Sequence, residues 1–556
     1  MPEQAAFGQI PEGQRRADYK NLDTLLRRCG VPLFDKRRMM DCFWPAQLLQ
    51  RIMTRDRVVE ELWEYKIGSP GSFHEIPLDA LADIIMRHYR KVFAVLVLIG
   101  KGDLIQAAIN EQWDDTQLPL LAYGPNNHLY SKKPPNRLAQ CFERHDWKPV
   151  HRQLFAEYQY AVDPCIFTLE VDGSTPKHRV FHDKVVLPFT DEAERHSGGY
   201  GIVTKVAIHE HCHEFHALLQ SINTDNSFAR KQLMNDDAKE FEDEAAALRR
   251  FNGFGNDHMV TLLMTWTQHR SYNLLFPWAK CDLDNYWARD PLPIMDAETI
   301  VWTSKQVTGI ASAIKSIHNP SRRNLQVPDD NKYGRHGDLK PENILLFDSP
   351  LDKMGILVVA DLGLAKLNSI VSRSMQSNHK IPGTPRYKPP ECDIEGAKIA
   401  RTYDIWTFGC LLLEWICWLF QGQNNKALFI WQLGSLYPTG SIGDTFYSMD
   451  SQGNGRYLVT VKSKVLEKFA ELHADEKCTE YFHDLLHIIE ERMLVIRARS
   501  RVDSETLFQS FNRMHQKVLQ DETYCYSPCK SSRKIGPQEP LDVEFRKTDP
   551  RGNQPR

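Results

Sequence analysis

Hydrophobic positions in the first third of the chain recur at mixed spacings of three and four residues. This spacing predicts a buried helix between Ala80 and Ile109, broken at Gly100 and Gly102, with apolar positions at Leu81, Ile84, Ile85, Tyr89, Val92, Phe93 and Leu96. Similar patterns around it predict a mainly helical accessory region over residues 21–170. The polar residues 1–20 that precede it are expected to be disordered.

The pattern changes near residue 180. Short apolar runs predict strands at Val180–Phe189, Ile202–His209, Phe228–Met234, Met259–Trp266 and Asn273–Trp278, and helical patterns then dominate to about Met514. This order predicts an α+β domain over residues 180–514, with a small β-rich lobe followed by a large α-rich lobe. Residues 526–556 are polar and read as a disordered tail. The Gly-, Ser- and Asn-rich stretch Gln421–Tyr457 reads as a surface excursion.

Composition excludes several classes of protein. The 556 residues are 42% hydrophobic and 25% charged, which argues against disorder over most of the chain. Lys and Arg number 69 against 72 Asp and Glu, so we expect no nucleic-acid partner. The longest apolar run, Val92–Ile99, is far too short for a membrane span. The start of the chain has no secretory pattern, and the twelve Cys lack a repeating spacing. Both favour a cytoplasmic or nuclear protein that is not secreted.

The strongest chemical signal is the loop sequence Arg-His-Gly-Asp-Leu-Lys-Pro-Glu-Asn at residues 335–343, directly before an apolar strand. It brings together a carboxylate (Asp338), an ammonium (Lys340) and an amide (Asn343). Phosphoryl transfer needs a carboxylate to orient the attacking hydroxyl, a cation for the transferred phosphate and an oxygen ligand for Mg²⁺. Asp361 follows the next apolar strand and offers a second carboxylate at an Asp-Leu-Gly turn.

Upstream segments supply complementary chemistry. Ser-Gly-Gly-Tyr-Gly at residues 197–201 is a glycine-rich turn whose backbone N–H groups can approach phosphate closely. Lys231 lies on a predicted strand, and a helical pattern with several Glu follows it. Downstream, Gly-Thr-Pro-Arg-Tyr-Lys-Pro-Pro-Glu at residues 383–391 precedes a buried helix that contains Asp404, and Arg501 comes late in the chain.

Together these motifs, in this order, resemble the protein kinases of the Ser/Thr type. The chain is also similar to kinase-like proteins of filamentous fungi with a helical N-terminal region. The resemblance covers about 330 of the 556 residues. It implies a two-lobed protein-kinase fold, use of ATP and Mg²⁺, and a protein substrate. It also implies that Asp404 anchors the catalytic loop, and that Arg501 pairs with Glu391.

The resemblance also implies roles for individual residues. Asp338 orients the substrate hydroxyl, Lys340 neutralises the transferred phosphoryl group, and Asn343 and Asp361 hold Mg²⁺. Lys231 grips the α- and β-phosphates and pairs with Glu244, with Glu240 and Glu242 as rivals. The remaining nucleotide contacts are expected from Gly198, Gly199, Gly201, Val203, Ala229, Phe276, Ala279 and Leu345. Ala279 would bind adenine, because Pro277 lacks a backbone N–H.

Three departures from the kinase pattern leave an alternative open. His196 takes the place of the first glycine, Gly337 stands where many kinases have Arg, and Leu362 replaces Phe. These departures suit a pseudokinase scaffold that binds partners without catalysis. The helical N-terminal region is a possible binding site for a partner under either reading. Since Gly337 offers no guanidinium, we expect activity not to depend on phosphorylation of the activation segment.

A separate string, His209-Glu210-His211-Cys212-His213, spells the H-E-x-x-H signature of zinc proteases. That signature requires an α-helix that places both His on one face. Here the string continues directly from a predicted strand, so we expect a strand end and turn without zinc.

Overall fold

The structure is a computed structural model that describes residues 21–34, 40–65, 77–134, 136–169, 171–172, 175–198, 201–222, 225–233, 255–289, 292–319, 334–361, 384–436, 442–527 and 539–544. Of the sequence predictions, the disordered segment 1–20, Gly199 and Glu244 lie outside the described residues, as do Glu240, Glu242 and Leu362.

The N-terminal region is mainly helical, as the spacing predicts. Its helices are α1 (Leu22–Cys29), α2 (Ala46–Ile52), α3 (Arg55–Glu64), α4 (Leu78–Ile84), α5 (Arg90–Leu98), α6 (Ile105–Asn110) and α7 (Pro149–Ala161). Short antiparallel strand pairs join them: β1 (Val31–Pro32) with β2 (Cys42–Phe43), and β3 (Leu121–Tyr123) with β4 (His128–Tyr130).

A π-helical turn, Ile85–Tyr89, separates α4 from α5. Such a turn changes the i→i−4 hydrogen-bond ladder of a helix. The carboxylate of Asp115 accepts hydrogen bonds from the backbone N–H groups of Lys91 and Val92, each at 3.0 Å, at the start of α5. Beyond the end of α5, Gly100 adopts φ +68°, a conformation that favours glycine. The predicted break at Gly100 is therefore confirmed.

The small lobe is a six-stranded sheet with the order β7-β11-β12-β10-β9-β8, preceded by the pair β5 (Val171–Asp172) and β6 (Thr175–Pro176). Its strands are β7 (His178–Val180), β8 (Phe189–Gly198), β9 (Gly201–Ile208), β10 (Ser227–Leu233), β11 (Met264–Gln268) and β12 (Ser271–Pro277). The predicted strand Val180–Phe189 is wrong, because residues 181–188 connect β7 to β8. This connection reads as a strand because its apolar residues pack against the helical region.

The two faces of this sheet pack into two different hydrophobic cores. Leu274 and Leu233 belong to the core that continues into the large lobe. The opposite face, with Phe228, Trp266 and Leu275, belongs to the core of the helical region. The Trp266 ring lies 5.8 Å from the ring of Phe167, which follows α7. The helical region therefore covers the outer face of the small lobe and shares its core.

The large lobe contains α8 (Leu283–Arg289), α9 (Ala297–His318), α10 (Thr402–Gln432), α11 (Ser463–Ala474), α12 (Glu480–Ile488), α13 (Ser504–Gln520) and α14 (Glu522–Tyr526). A three-stranded sheet of β13 (Cys281–Asp282), β14 (Ile344–Ser349) and β15 (Asp352–Val359) borders the cleft. By length and composition α10 could cross a membrane, but 94% of its apolar window is buried inside the protein, as in a core helix.

The stretch Gln421–Tyr457, predicted as a surface excursion, is exposed at residues 450–456, but other parts of it pack into the core. Helix α10 continues to Gln432 with a bend at Gly422 (φ +79°). Phe446 and Tyr447 are fully buried, although the average polarity of the stretch conceals them. The strands here are β16 (Ser435–Leu436), β17 (Ile442–Gly443), β18 (Tyr447–Gly453) and β19 (Arg456–Val461).

The C-terminal boundaries also need correction. The predicted domain end at residue 514 falls inside α13, and Val518, Tyr524 and Cys525 still belong to the core. The predicted disordered tail, residues 526–556, contributes strand β20 (Leu541–Glu544), which pairs antiparallel with β19. Leu541 and Val543 alternate with acids as strand residues do, but four residues are too short a pattern to predict a strand.

Candidate active site

Asp404 of α10 anchors the loop that contains the candidate catalytic residues. The Asp404 carboxylate accepts hydrogen bonds from the backbone N–H groups of His336 (2.8 Å) and Gly337 (2.9 Å). His318, at the end of α9, contacts the same carboxylate through Nε2 at 2.8 Å. The predicted anchoring role of Asp404 is confirmed. Gly337 has φ +84°, so the turn itself favours glycine at this position.

Asp404 is ionised in spite of its complete burial. Burial alone would raise its pKa, but the His318 hydrogen bond and the nearby backbone N–H groups outweigh that effect and hold the pKa below its ordinary value. A buried carboxylate with these partners is fixed in place, and it fixes the loop in turn.

The candidate catalytic side chains form one hydrogen-bonded cluster with Thr384. Asp338 Oδ1 accepts from the backbone N–H (3.0 Å) and the hydroxyl (3.1 Å) of Thr384. Lys340 Nζ lies 3.2 Å from Asp338 Oδ2 and 3.0 Å from Thr384 Oγ1. Asn343 Nδ2 donates to Asp338 Oδ2 at 3.1 Å and to the Asp338 carbonyl at 2.7 Å. These contacts join three of the predicted residues to the segment around Thr384.

His336 links this loop to the strand that leads to Asp361. Its Nδ1 accepts from the Asp338 N–H (3.2 Å), so Nε2 carries the proton and donates to the Ala360 carbonyl (2.9 Å). The Ala360 N–H donates to the Asn343 carbonyl at 2.9 Å. Asp361 follows β15 with φ +56° and an exposed side chain. The backbones of Asn343 and Asp361 are therefore held side by side.

The predicted nucleotide contacts of the small lobe share one sheet face. In the antiparallel register, Lys231 lies opposite Val203 and Leu274, and Ala229 lies opposite Phe276. Residues opposite each other in an antiparallel sheet point to the same side. Since Leu274 packs toward the large lobe, this is the face that looks into the cleft.

The glycine-rich turn joins β8 to β9, where Gly198 pairs with Gly201. A Cβ on Gly201 would come within 2.6 Å of the Gln232 carbonyl oxygen. Glycine is therefore required at position 201 for strand packing, independently of any phosphate.

Ala279 lies in the segment Pro277–Ala279 between the two lobes, called the hinge here, and Leu345 lies on β14. Both residues border the cleft between the lobes. Both are partly buried and pack against the large-lobe core. The Lys280 N–H donates to the Leu346 carbonyl at 2.8 Å, which ties the hinge to β14. The hinge position is thus set by backbone pairing with the same strand that presents Leu345.

Comparison with known proteins identifies this arrangement. The family model described as the protein kinase domain matches residues 197–488, just over half of the chain. The chain belongs to the protein kinase family. The match includes all the candidate site residues described above, and it leaves out β7, most of β8 and the helices after α12.

Individual kinases are similar over shorter stretches. Cysteine-rich receptor-like protein kinase 14 of Arabidopsis thaliana is 29% identical over 193 residues, which are 34% of this chain and 25% of that protein. Serine/threonine-protein kinase SSN3 of Yarrowia lipolytica is 24% identical over 179 residues (31% and 38%). Cyclin-dependent kinase 2 of Caenorhabditis elegans is 38% identical over 94 residues (17% and 22%). The chain spans less than two fifths of the length of each of these relatives.

Protein kinases in general use ATP and Mg²⁺, and the donor set here fits a hard cation. The Asn343 amide turns its nitrogen toward Asp338, which directs its oxygen away from that residue. The Asp361 carboxylate is exposed at the neighbouring strand end. Amide and carboxylate oxygens are the protein ligands that Mg²⁺ prefers. These two side chains are therefore suited to hold the ion.

The predicted pair between Glu391 and Arg501 is confirmed. The guanidinium donates through both terminal nitrogens to the two carboxylate oxygens, each at 2.7 Å, and both side chains are buried. Arg501 also donates to the Thr402 and Val495 carbonyls. The pair joins the end of the activation segment to α10 and to the loop before α13.

The sequence did not predict a second buried acid, Glu414, which contacts the end of the activation segment. The Tyr387 hydroxyl donates to Glu414 of α10 at 2.9 Å, and Arg386 lies 3.9 Å from the same carboxyl group. Burial raises the pKa of Glu414 to about 7, although Arg386 and Tyr387 oppose the shift. His318, the partner of Asp404, was missed as well. It lies 86 residues from Asp404, and no local spacing connects the two.

The H-E-x-x-H string lies on a different structure from the zinc-protease helix. Glu210–Cys212 form a 3₁₀ turn after β9, and His213 follows in extended conformation. His213 Nε2 contacts the Asn226 side chain at 3.0 Å. The prediction of a strand end and turn is confirmed, whereas the expected lack of zinc stays a prediction.

Proposed function

We propose that the chain is an active Ser/Thr protein kinase that transfers the γ-phosphate of ATP to hydroxyl groups of protein substrates. The observation that carries this proposal is the contact of Asp338 with Thr384, bridged by Lys340. A carboxylate, an ammonium and a hydroxyl meet at one point, where the loop joins the activation segment. Positioning and electrostatic stabilisation supply most of the catalysis in phosphoryl transfer.

Each side chain then has a defined task. Asp338 orients the substrate hydroxyl and accepts its proton, and Lys340 offsets the charge of the transferred phosphoryl group. Asn343 and Asp361 hold Mg²⁺, which when bound neutralises charge on the phosphate oxygens. Lys231 faces the cleft from β10 and is assigned to the α- and β-phosphates. Thr384 next to Lys340 supports the choice of Ser/Thr over Tyr as the acceptor.

The rival function is a pseudokinase scaffold, favoured by the Gly337 and His196 departures. Glycine at position 337 has a conformational reason, because the turn that donates its N–H groups to Asp404 has a positive φ there. A scaffold has no chemical need for Asp338, Lys340, Asn343 and Asp361 in one chain. The full set therefore supports catalysis.

Nucleotide binding and phosphoryl transfer, measured separately on the purified chain, distinguish the two functions. We expect transfer from γ-labelled ATP with Mg²⁺, and a loss of at least a hundredfold in Asp338→Asn. That variant keeps the hydrogen-bonding shape of the side chain, so nucleotide binding should persist. Asp361→Ala should lose transfer and also weaken Mg²⁺-dependent nucleotide binding. Nucleotide binding without transfer by the wild-type chain would instead establish the scaffold.

A further inference from the structure

Three histidines of the large lobe meet outside the kinase active site. His473 lies near the end of α11, while His483 and His487 lie one turn apart on α12. Residues at i and i+4 of a helix share one face, so two imidazoles approach the third from the same side. His483 and His487 are buried, and His473 is mostly so.

Short contacts between ring nitrogens join the three histidines in a row. His473 Nδ1 lies 2.8 Å from His483 Nδ1, and His483 Nε2 lies 3.0 Å from His487 Nε2. One ligand nitrogen from each of the three residues falls within 4.8 Å of the others. Around a tetrahedral zinc ion, with Zn–N of about 2.0–2.1 Å, neighbouring ligand nitrogens are about 3.3 Å apart. Because the two short contacts use different nitrogens of His483, the rings must rotate to surround one ion, and the widest nitrogen pair must close by up to about 1.5 Å.

Carboxylates behind two of the rings give a second, independent indication. His473 Nε2, the nitrogen opposite its Nδ1, faces Glu490 at 3.9 Å. His487 Nδ1, opposite its Nε2, faces Glu491 at 3.8 Å. Metal-bound histidines typically turn their outer ring nitrogen toward a carboxylate or carbonyl, which fixes the ring and makes the ligand more basic. Both outer nitrogens here face acids.

The surroundings of the cluster also suit a cation. The carboxyl groups of Glu490 and Glu491 lie beside the three imidazole rings in a mostly buried place.

We propose that His473, His483 and His487 bind one Zn²⁺ ion, which links α11 to α12. Three imidazole nitrogens favour zinc over Mg²⁺ or Ca²⁺, which take oxygen ligands. Three protein ligands leave a fourth position for water. The proposal does not rest on phosphoryl transfer, since the cluster belongs to a different part of the large lobe. The competing arrangement is a chain of imidazole–imidazole hydrogen bonds without an ion.

Elemental analysis of the full-length chain, purified after expression with zinc, tests the site. We expect about one zinc ion per chain, at least tenfold less in His473→Ala and in His487→Gln, and unchanged content in the His209→Ala, His213→Ala double variant. The double variant is the matched control, because it removes the other histidine-rich string. Zinc that is lost in the control and retained in His473→Ala would overturn the proposal.

Wild-type protein provides a test that does not depend on the folding of any variant. Removal of zinc with a chelator should lower the thermal unfolding temperature, and added Zn²⁺ should restore it. Co²⁺ in place of Zn²⁺ should give the visible absorption of a tetrahedral nitrogen site. Wild-type chain without zinc, even after incubation with Zn²⁺ and gel filtration, would mean that the cluster is a hydrogen-bonded histidine chain.

Discussion

Removing the helical region should unfold the small lobe, because the outer face of its sheet shares its hydrophobic core with that region. The perturbation is a chain that begins at residue 177 and therefore lacks α1–α7. It retains every strand from β7 onward and every candidate catalytic residue. A kinase domain that needs only its own two lobes would tolerate this deletion.

The loss in free energy of unfolding can be derived from the side chains that the deletion exposes to water. Six apolar residues on or beside the outer face are buried in the core of the helical region: Val206, Ile208, Phe228, Met264, Trp266 and Leu275. At about 1.5–3 kcal/mol for each buried large apolar side chain, their full exposure would cost about 9–18 kcal/mol. This is an upper limit, because the retained Phe189 and Phe215 rings still contact Trp266 and Phe228. The cost is comparable with the whole stability of a typical domain, about 5–15 kcal/mol, so we expect the sheet of the deleted chain to unfold.

Urea unfolding and limited proteolysis of the deleted and full-length chains test this reasoning. We expect the deleted chain to be insoluble, or to lose protection across β8–β12 while the large lobe stays protected. Co-expression of residues 21–176 as a separate chain should rescue solubility. Trp266→Ala in the full chain is a milder version and should cost about 3–5 kcal/mol. A soluble deleted chain with the same unfolding midpoint as the full chain would refute the argument.

Three further substitutions test other parts of the fold. Arg501→Met leaves the Glu391 carboxylate buried without its bidentate partner, and should cost about 3–5 kcal/mol in urea unfolding; a cost below about 1 kcal/mol would contradict the buried pairing. Glu414 has a folded pKa of about 7 against an ordinary 4.5, so the folded state binds the extra proton between these values. The free energy of unfolding should therefore fall as pH rises from about 5 to 7 and level off above that range. Glu414→Gln should flatten this dependence by up to about 3 kcal/mol, and an unchanged pH profile would count against the shift. Gly201→Ala should lower stability by about 1–3 kcal/mol, since the Gln232 carbonyl blocks the new Cβ; an unchanged melting temperature would show that β9 and β10 can separate there.

The candidate active site could be predicted from the sequence, because phosphoryl transfer requires particular residue types and these lie close together in the chain. Asp338, Lys340 and Asn343 lie within six positions of one loop, so their meeting needs no knowledge of the rest of the chain. The roles of Asp404 and Arg501 were predicted from the resemblance to kinases, because no local spacing connects these residues with their partners. His318 belongs to neither group, and only the packing of α9 against α10 reveals it.

The docking of the helical region could not be predicted, because a strand buried on both faces carries no sign of what covers each face. Phe228 and Trp266 read equally well as residues of a self-contained small lobe. The zinc-type cluster was missed since His473 is ten and fourteen residues from its partners, across a helix end and a turn. The average polarity of a long stretch concealed Phe446, and β20 is too short for its alternation to predict a strand.

The cluster at Asp338 also explains why loop phosphorylation should be dispensable. Thr384 already contacts Asp338 and Lys340. Arg335, the guanidinium three residues before Asp338, lies over the Tyr403 ring at 5.2 Å. The candidate phosphorylation sites Ser369, Ser372, Ser374 and Ser377 lie outside the described residues.

We propose that the contacts of Thr384 with Asp338 and Lys340 assemble the site, and that this chain transfers phosphate without a phosphate on the activation segment. The most direct measurement is γ-phosphate transfer from Mg²⁺–ATP to Ser/Thr substrates by phosphatase-treated chain with all four of those serines changed to Ala. We predict transfer within about tenfold of the untreated wild type, a barrier difference below ~1.4 kcal/mol. Absence of transfer in both proteins would contradict catalysis itself. Transfer by the untreated wild type alone would show that a phosphate, and not the Thr384 contact, assembles the site.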